Sequence, residues 1–117
     1  MSISSRDENV IKHIIDYCEQ IEETNKEFED DHEVFERSNT YRNALSLCIL
    51  QIGELVTVLS DEFKETHTEI PWRDIKAMRN IVAHRYGTVN KEMLWNTVHE
   101  DIIELKDFCK ACLEHDD

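Results

Sequence analysis

Apolar residues recur at intervals of three and four along most of this chain, and that period restricts its possible folds more than any other property. Val10, Ile11, Ile14, Ile15, Cys18 and Ile21 form a first stripe, and Leu45, Cys48, Ile49, Ile52, Val56, Leu59 and Phe63 a second. Ile75, Met78, Val82 and Tyr86 make a third, and Leu94, Val98, Ile102, Leu105, Phe108, Cys109 and Cys112 a fourth. A helix gathers positions i, i+3, i+4 and i+7 on one face, whereas a half-buried strand alternates every second residue. Two glycines and one proline among 117 residues are too few for a turn-rich β architecture. The expected class is all-α.

The punctuation divides the stripes into elements. Ser5 followed by Glu8 has the form of a capping box, so the first helix is expected from about Arg6 to about Asn25. The acidic stretch from Lys26 to Asn39 still holds Phe28, Val34 and Phe35, which need somewhere to pack, so it reads as a connection with a short helix. The longest helix is expected from about Asn39 to about Phe63. Gly53 lies inside it, where glycine costs about 1 kcal/mol relative to alanine unless another backbone comes close, so a neighbouring helix is expected to cross there. Pro71 suits the first position of the next helix and Gly87 the residue that closes it. Asn90 is a good N-cap for the last helix, with Val89 able to staple onto Leu94. Four amphipathic helices with short connections make an antiparallel four-helix bundle with a short extra helix, in one domain spanning 1–117.

No apolar run approaches the roughly 20 residues that a bilayer crossing needs, and the polar start from Met1 to Glu8 lacks the apolar core of a signal peptide. A cytoplasmic protein without a membrane partner is expected. Its four cysteines then act as small apolar residues. Cys109 and Cys112 are one helical turn apart, and Cys18 and Cys48 could face them in a bundle. No histidine lies among them and no paired Cys-x-x-Cys occurs, which favours core packing over a structural zinc. The six histidines form neither His-Glu-x-x-His nor the two Glu-x-x-His motifs that suit a di-iron bundle, and two glycines cannot build a P-loop, a dinucleotide fingerprint or a nucleophile elbow. No metal or cofactor is expected.

Charge is distributed unevenly. The chain carries a formal net charge of −13. Between Trp72 and Lys91, however, Arg73, Lys76, Arg79, Arg85 and Lys91 stand against Asp74 alone, a local +4. A chain this acidic does not coat nucleic acid indiscriminately, but one basic cleft can still hold a phosphate. The plainer reading is a solvated helix face, and Arg42, Arg73, Lys76 and Arg85 are either guides for an RNA backbone or ordinary surface charges.

Within the island lies Arg79-Asn80-Ile81-Val82-Ala83-His84-Arg85-Tyr86-Gly87. At 100° per residue Asn80 and His84 share a face, whereas Arg79 and His84 are about 140° apart if the helix stays regular. If it loosens toward Gly87, Arg79 and His84 can flank one phosphate. Arginine offers a fork to phosphate oxygens, and histidine exchanges protons near neutral pH. RNA cleavage without a metal needs a base for the 2′-hydroxyl, an acid for the leaving oxygen and positive charge for the phosphorane. One histidine cannot do both proton transfers in one step, so this chemistry predicts a two-fold dimer supplying a second His84 and Arg79. The plainer roles are an ion pair for Arg79, a favourable interaction with the helix dipole for His84 and packing for Tyr86. Glu54, directly after Gly53, reads as a helix-surface residue or ion-pair partner in preference to a catalytic group.

Arg-x4-His-x-Tyr on the third helix of a small bundle resembles the HEPN superfamily, and specifically its HepT-like toxins. Ile52-Gly53-Glu54-Leu55 is similar to that family's Ile-Gly-Glu-Ala, with leucine replacing the usual alanine, and Leu94-Trp95 early in the last helix also fits. The resemblance covers nearly the whole chain. It implies a homodimeric, metal-independent endoribonuclease, the toxin of a type VII-like toxin–antitoxin pair, with its cleft at the dimer interface. Arg79 and His84 are then catalytic and Asn80 lines the site. Tyr86 is then the acceptor to which a minimal nucleotidyltransferase antitoxin attaches AMP, placing negative charge and bulk where the RNA phosphate would sit. The alternative within the same fold is a non-catalytic HEPN module that holds a nucleotide or docks a nucleotidyltransferase. A purely structural dimer is the third possibility.

Overall fold

The computed structural model describes residues 3–85 and 90–114. Every regular element among them is helical: α1 (Ser5–Glu27), α2 (His32–Arg37), α3 (Asn39–Val58), α4 (Asp61–Thr66), α5 (Trp72–Arg85), α6 (Lys91–Asn96) and α7 (Ile102–Glu114). The last two are joined by a π-turn, Thr97–Asp101, into one rod over 91–114. The four long pieces α1, α3, α5 and α6–α7 form the bundle, with α1 against α3 and α7, and α3 against α5. No helix among the described residues is long and apolar enough to cross a membrane.

Side-chain caps start most of the helices. Ser4, Asp31, Ser38, Ser60 and Asn90 accept from the backbone N–H groups of Asp7, Glu33, Tyr41, Phe63 and Met93 respectively, at 2.8–3.1 Å. Each satisfies a donor that the helix itself leaves unpaired and contributes about 1 kcal/mol. Asn90 has its expected role. The expected cap at Ser5 shifts by one residue to Ser4, because Ser4 holds the extended backbone that lets its hydroxyl reach Asp7. Pro71 stands one position ahead of α5, its carbonyl receiving the Ile75 N–H at 3.1 Å. The expected roles of Gly87 and Val89 lie outside the described residues.

The four stripes meet in one core. Ile11, Ile14, Cys18, Leu45, Ile52, Leu94 and Leu105 are essentially sealed from solvent, and Ile75, Met78 and Val82 nearly so. Phe35 of the short α2 is buried, and Phe28 stacks on Tyr41 with ring centroids 4.5 Å apart. The aromatic residues of the acidic stretch therefore pack as expected. Burial raises the Cys18 thiol to about 12 and pushes that of Cys109 up as well, so both are neutral core groups.

One expected helix is two. Instead of running to Phe63, α3 stops at Val58, and α4 starts anew from Ser60, leaving α1 as the longest helix. The stripe continues through the break, since Leu59 and Phe63 both remain buried. Asp7, only 3 % exposed, imposes the break from α1: its carboxylate receives the Ser60 N–H at 2.9 Å and the Ser60 hydroxyl at 2.6 Å. The π-turn was equally absent from expectation. Leu94, Val98 and Ile102 are spaced four and four, which drifts about 40° per step around a regular helix. A turn with i→i+5 bonds absorbs the extra residue and keeps all three buried.

Candidate active site on the fifth helix

Helix α5 has two faces. Ile75, Met78 and Val82 face the core, while Arg73, Lys76, Ala83 and His84 are exposed and Arg79 and Asn80 half-buried. Gly53 of α3 determines how closely this helix approaches. A Cβ placed on Gly53 would overlap Cβ and Cγ of Arg79 and lie 3.5 Å from its Cα. The missing side chain of the glycine is the seat of the arginine. The expected crossing occurs, and Arg79 makes it.

The guanidinium is oriented on arrival. Its Nε donates to Glu54 Oε1 at 2.5 Å, Nη2 donates to the same oxygen, and Nη1 donates to Asn80 Oδ1 at 2.8 Å. Glu54 is thus an ion-pair partner across 25 residues of sequence, in line with its non-catalytic reading. Of the five N–H groups of an arginine these contacts engage three. No other described residue engages the remaining N–H on each terminal nitrogen, a pair of a kind suited to two phosphate oxygens. Glu54 withdraws part of the positive field but also fixes a side chain that would otherwise lose rotamer freedom on binding.

His84 lies in the last turn of α5 and is exposed, with no hydrogen bond or ion pair to another described residue. The helix remains regular through Arg85. The loosening that would swing His84 toward Arg79 does not occur within the described part, and the two stay about 140° apart around the axis. Asn80 bridges them, sharing one face with His84 while its side chain meets Arg79. Tyr86 lies outside the described residues. Arg42 has a structural contact of its own: its Nη1 donates to the carbonyls of Phe35 and Glu36 at 2.5 and 2.7 Å, closing the end of α2.

Among the described residues, concavities border α5 on two sides. One, of about 320 Å³, lies between α3, α5 and the last rod and is lined by Ile49, Ile52, Ile75, Met78, Met93 and Ile102, with Asp74 and Asp101 at its edge. Desolvation, then the charges of Glu104, Glu100 and Asp74, raises the Asp101 carboxyl above its usual range. This cavity has no cation and is unsuited to phosphate. The other lies toward the start of α5 and contains Lys64, Arg73 and Lys76.

The family model "Ribonuclease HepT-like" matches residues 14–112, which include α5 and all that holds it. The chain belongs to the HepT-like ribonuclease family. It is 34% identical over 106 residues, 89% of this chain and 91% of the relative, to "Putative RNase TTE0752" of Caldanaerobacter subterraneus subsp. tengcongensis. It is 46% identical over 55 residues to "Probable ribonuclease HepT" of Thermococcus cleftensis, covering 47% of this chain and 50% of that one. A longer protein of Methanocaldococcus jannaschii, "Gamma-glutamylcyclotransferase and putative RNase MJ0434", is 34% identical over 97 residues, which are 83% of this HepT-like chain but 43% of the relative. No solved structure matches.

Proposed function

We propose that this chain is the RNase toxin of a HEPN-type toxin–antitoxin pair, cleaving RNA without a metal through Arg79 and His84. The observation that carries the reading is the state of Arg79: seated on Gly53, held by Glu54 and Asn80, and lying one to two helical turns from an exposed histidine. The RNase names of its relatives support the same chemistry.

In this mechanism one imidazole removes the proton of the 2′-hydroxyl, and the freed oxygen attacks the adjacent phosphorus. The Arg79 pair of N–H groups stabilises the added negative charge of the phosphorane. A second, protonated imidazole gives its proton to the departing 5′-oxygen. The products are a 2′,3′-cyclic phosphate and a 5′-hydroxyl, and the two histidines have exchanged protonation states. The regular helix keeps Arg79 and His84 of one chain on different sides, which supports a two-fold dimer in which the histidine of each copy works beside the arginine of the other. Exposed Met93 and half-buried Ile81, next to the motif face, supply apolar surface for such contact.

A nucleotidyltransferase antitoxin would silence the toxin by attaching AMP to Tyr86. The tyrosyl oxygen attacks the α-phosphorus of ATP and pyrophosphate departs. The adduct then occupies the position of the substrate phosphate. The Glu54–Arg79 pair favours one other reading, in which Arg79 mainly joins α3 to α5 and the chain is a non-catalytic nucleotide-holding or nucleotidyltransferase-docking module.

The two readings separate on purified protein free of Tyr86 adduct by intact mass, incubated with RNA and a chelator beside its His84→Ala variant. The nuclease reading expects cleavage by the parent alone, with cyclic phosphate ends. Cleavage by neither leaves the docking module, and equal cleavage by both points to a contaminant.

A further inference from the structure

Lys64, Arg73 and Lys76 line one open cleft between the end of α3 and the starts of α4 and α5, together with Thr57 and Trp72. Asp61 is the carboxylate that joins them. The chain has 26 acidic side chains for 13 basic ones. Lys12, Arg37, Arg79, Lys106 and Lys110 each reach a carboxylate, whereas none of the three cleft cations forms an ion pair with a described residue. Lys64 instead donates to the Val56 carbonyl at 3.3 Å. Three like charges converging beside a single carboxylate, with no ion pair to a described residue, repel one another, a cost that an arriving anion lowers.

The aromatic wall is already fixed. The Trp72 indole N–H donates to the His67 carbonyl at 2.9 Å, and its ring rests against Phe63 and Phe108 with centroids 6.1 and 5.9 Å away. An anchored indole beside cations is the combination by which proteins hold single-stranded nucleic acid, stacking a base while charges follow the backbone. Position along α5 relates the cleft to the motif. Arg73, Lys76, Asn80 and His84 fall within an arc of about 80° at 100° per residue. Lys76 precedes His84 by about 12 Å along the axis. The cleft therefore takes the strand beside the phosphate at the motif, not that phosphate itself.

We propose that the cleft of Lys64, Arg73, Lys76 and Trp72 is a subsite for single-stranded RNA flanking the cleavage position, an inference that rests on the RNA-directed reading of α5. It binds any base by stacking and two or three phosphates by charge, so it sets affinity and direction more than sequence preference.

The test uses full-length protein carrying His84→Ala, so that substrate survives, with and without Lys64→Gln, Arg73→Gln and Lys76→Gln together. Fluorescence anisotropy of a short labelled single-stranded RNA is followed over a range of sodium chloride, and thermal melts check that both proteins fold. Removal of the three charges is expected to weaken binding about 10-fold or more at low salt and to flatten the log–log salt slope by about 2, near 0.7 per phosphate contact. Quenching of tryptophan emission by RNA should fall in parallel. Equal binding and equal slopes would overturn the subsite, as would displacement of the RNA by polyglutamate as readily as by unlabelled RNA, which would make the cleft a docking surface for acidic protein. Failure of the nuclease reading shows separately: a parent that binds RNA through this cleft and never cleaves it loses the catalysis and keeps the subsite.

Discussion

Asp7 and Glu54 are both carboxylates that reach from one helix to another, and they do opposite work. Asp7 is sealed from solvent and meets the neutral N–H and hydroxyl of Ser60. Glu54 is exposed, its side chain retaining 47 % of its accessible surface, and it meets a guanidinium. A buried acceptor is expensive to remove because the donors around it cannot turn to water, whereas an exposed ion pair contributes at most about 1 kcal/mol. The contrast assigns stability to the Asp7 end of the bundle and orientation of the proposed catalytic arginine to the Glu54 end. It also shows why the charged pair says more about function: it holds Arg79 in one pose with little effect on folding.

The sharpest way to break this division is at Arg79. Arg79→Ala should lower RNA cleavage by about 10²- to 10³-fold, the usual loss for one preorganised donor to a developing oxyanion, while the melting temperature moves little. Initial rates and a thermal melt on one preparation decide it, and a large drop in Tm with modest loss of rate would reverse the assignment. Asp7→Ala should behave in the opposite way. It costs about 2 kcal/mol, read as a fall in Tm of roughly 8 °C, with cleavage per folded molecule retained.

Gly53→Ala joins the two regimes. Alanine in a helix interior is ordinarily about 1 kcal/mol better than glycine. Here its methyl must displace the Arg79 side chain, an overpacking of about 1–3 kcal/mol, so the sign should invert and cleavage should fall about tenfold as the arginine leaves its pose. A stabilised protein with full activity would remove Gly53 from the account. The smallest effect concerns another buried polar contact, the Tyr41 hydroxyl, which meets Asn25 Oδ1 at 2.5 Å. Burial, then the charges of Asp30 and Asp31, raises Tyr41 to about 12. The folded chain thus holds this proton more tightly than the unfolded one, which releases it near 10. Tyr41 should add no pH dependence below about 10 and lose its contribution as pH climbs from about 10 to about 12. Phenolate absorbance should show one tyrosine titrating late, together with unfolding.

The stripes made most of the bundle readable from sequence, because a helix needs only local spacing to reveal its buried face. The break at Leu59–Ser60 was not readable, since Leu59 and Phe63 continue the stripe across it and the group that imposes it, Asp7, comes 53 residues earlier. The π-turn was hidden for a related reason: a four-and-four spacing is tolerated in an ordinary helix until packing requires Leu94, Val98 and Ile102 on one side. In the site, Gly53 was legible as a point of close approach and Glu54 as an ion-pair residue, but not that Arg79 answers both. Arg79 and His84 were paired from the basic island and the needs of phosphate cleavage, and then by the resemblance to a family; the geometry adds how the arginine is held. The contact of Arg42 with the end of α2 was not readable, because a cation that closes a helix end looks, in sequence, like any other surface charge.

The seat on Gly53 also limits how α5 can move. A turn away along α3 in either direction stand Ile49 and Leu50 or Val56 and Thr57, all with side chains, so Arg79 has no second slot into which it can slip. Sliding or screwing one helix past the other would drive the arginine stem into those side chains, and a packed interface resists that continuously. The two helices are keyed like a shaft to its collar and travel as a single rigid part. For the nuclease proposed above, regulation would then fall to what is attached beside the site or docked across it, since the shaft that carries it has no gear to change.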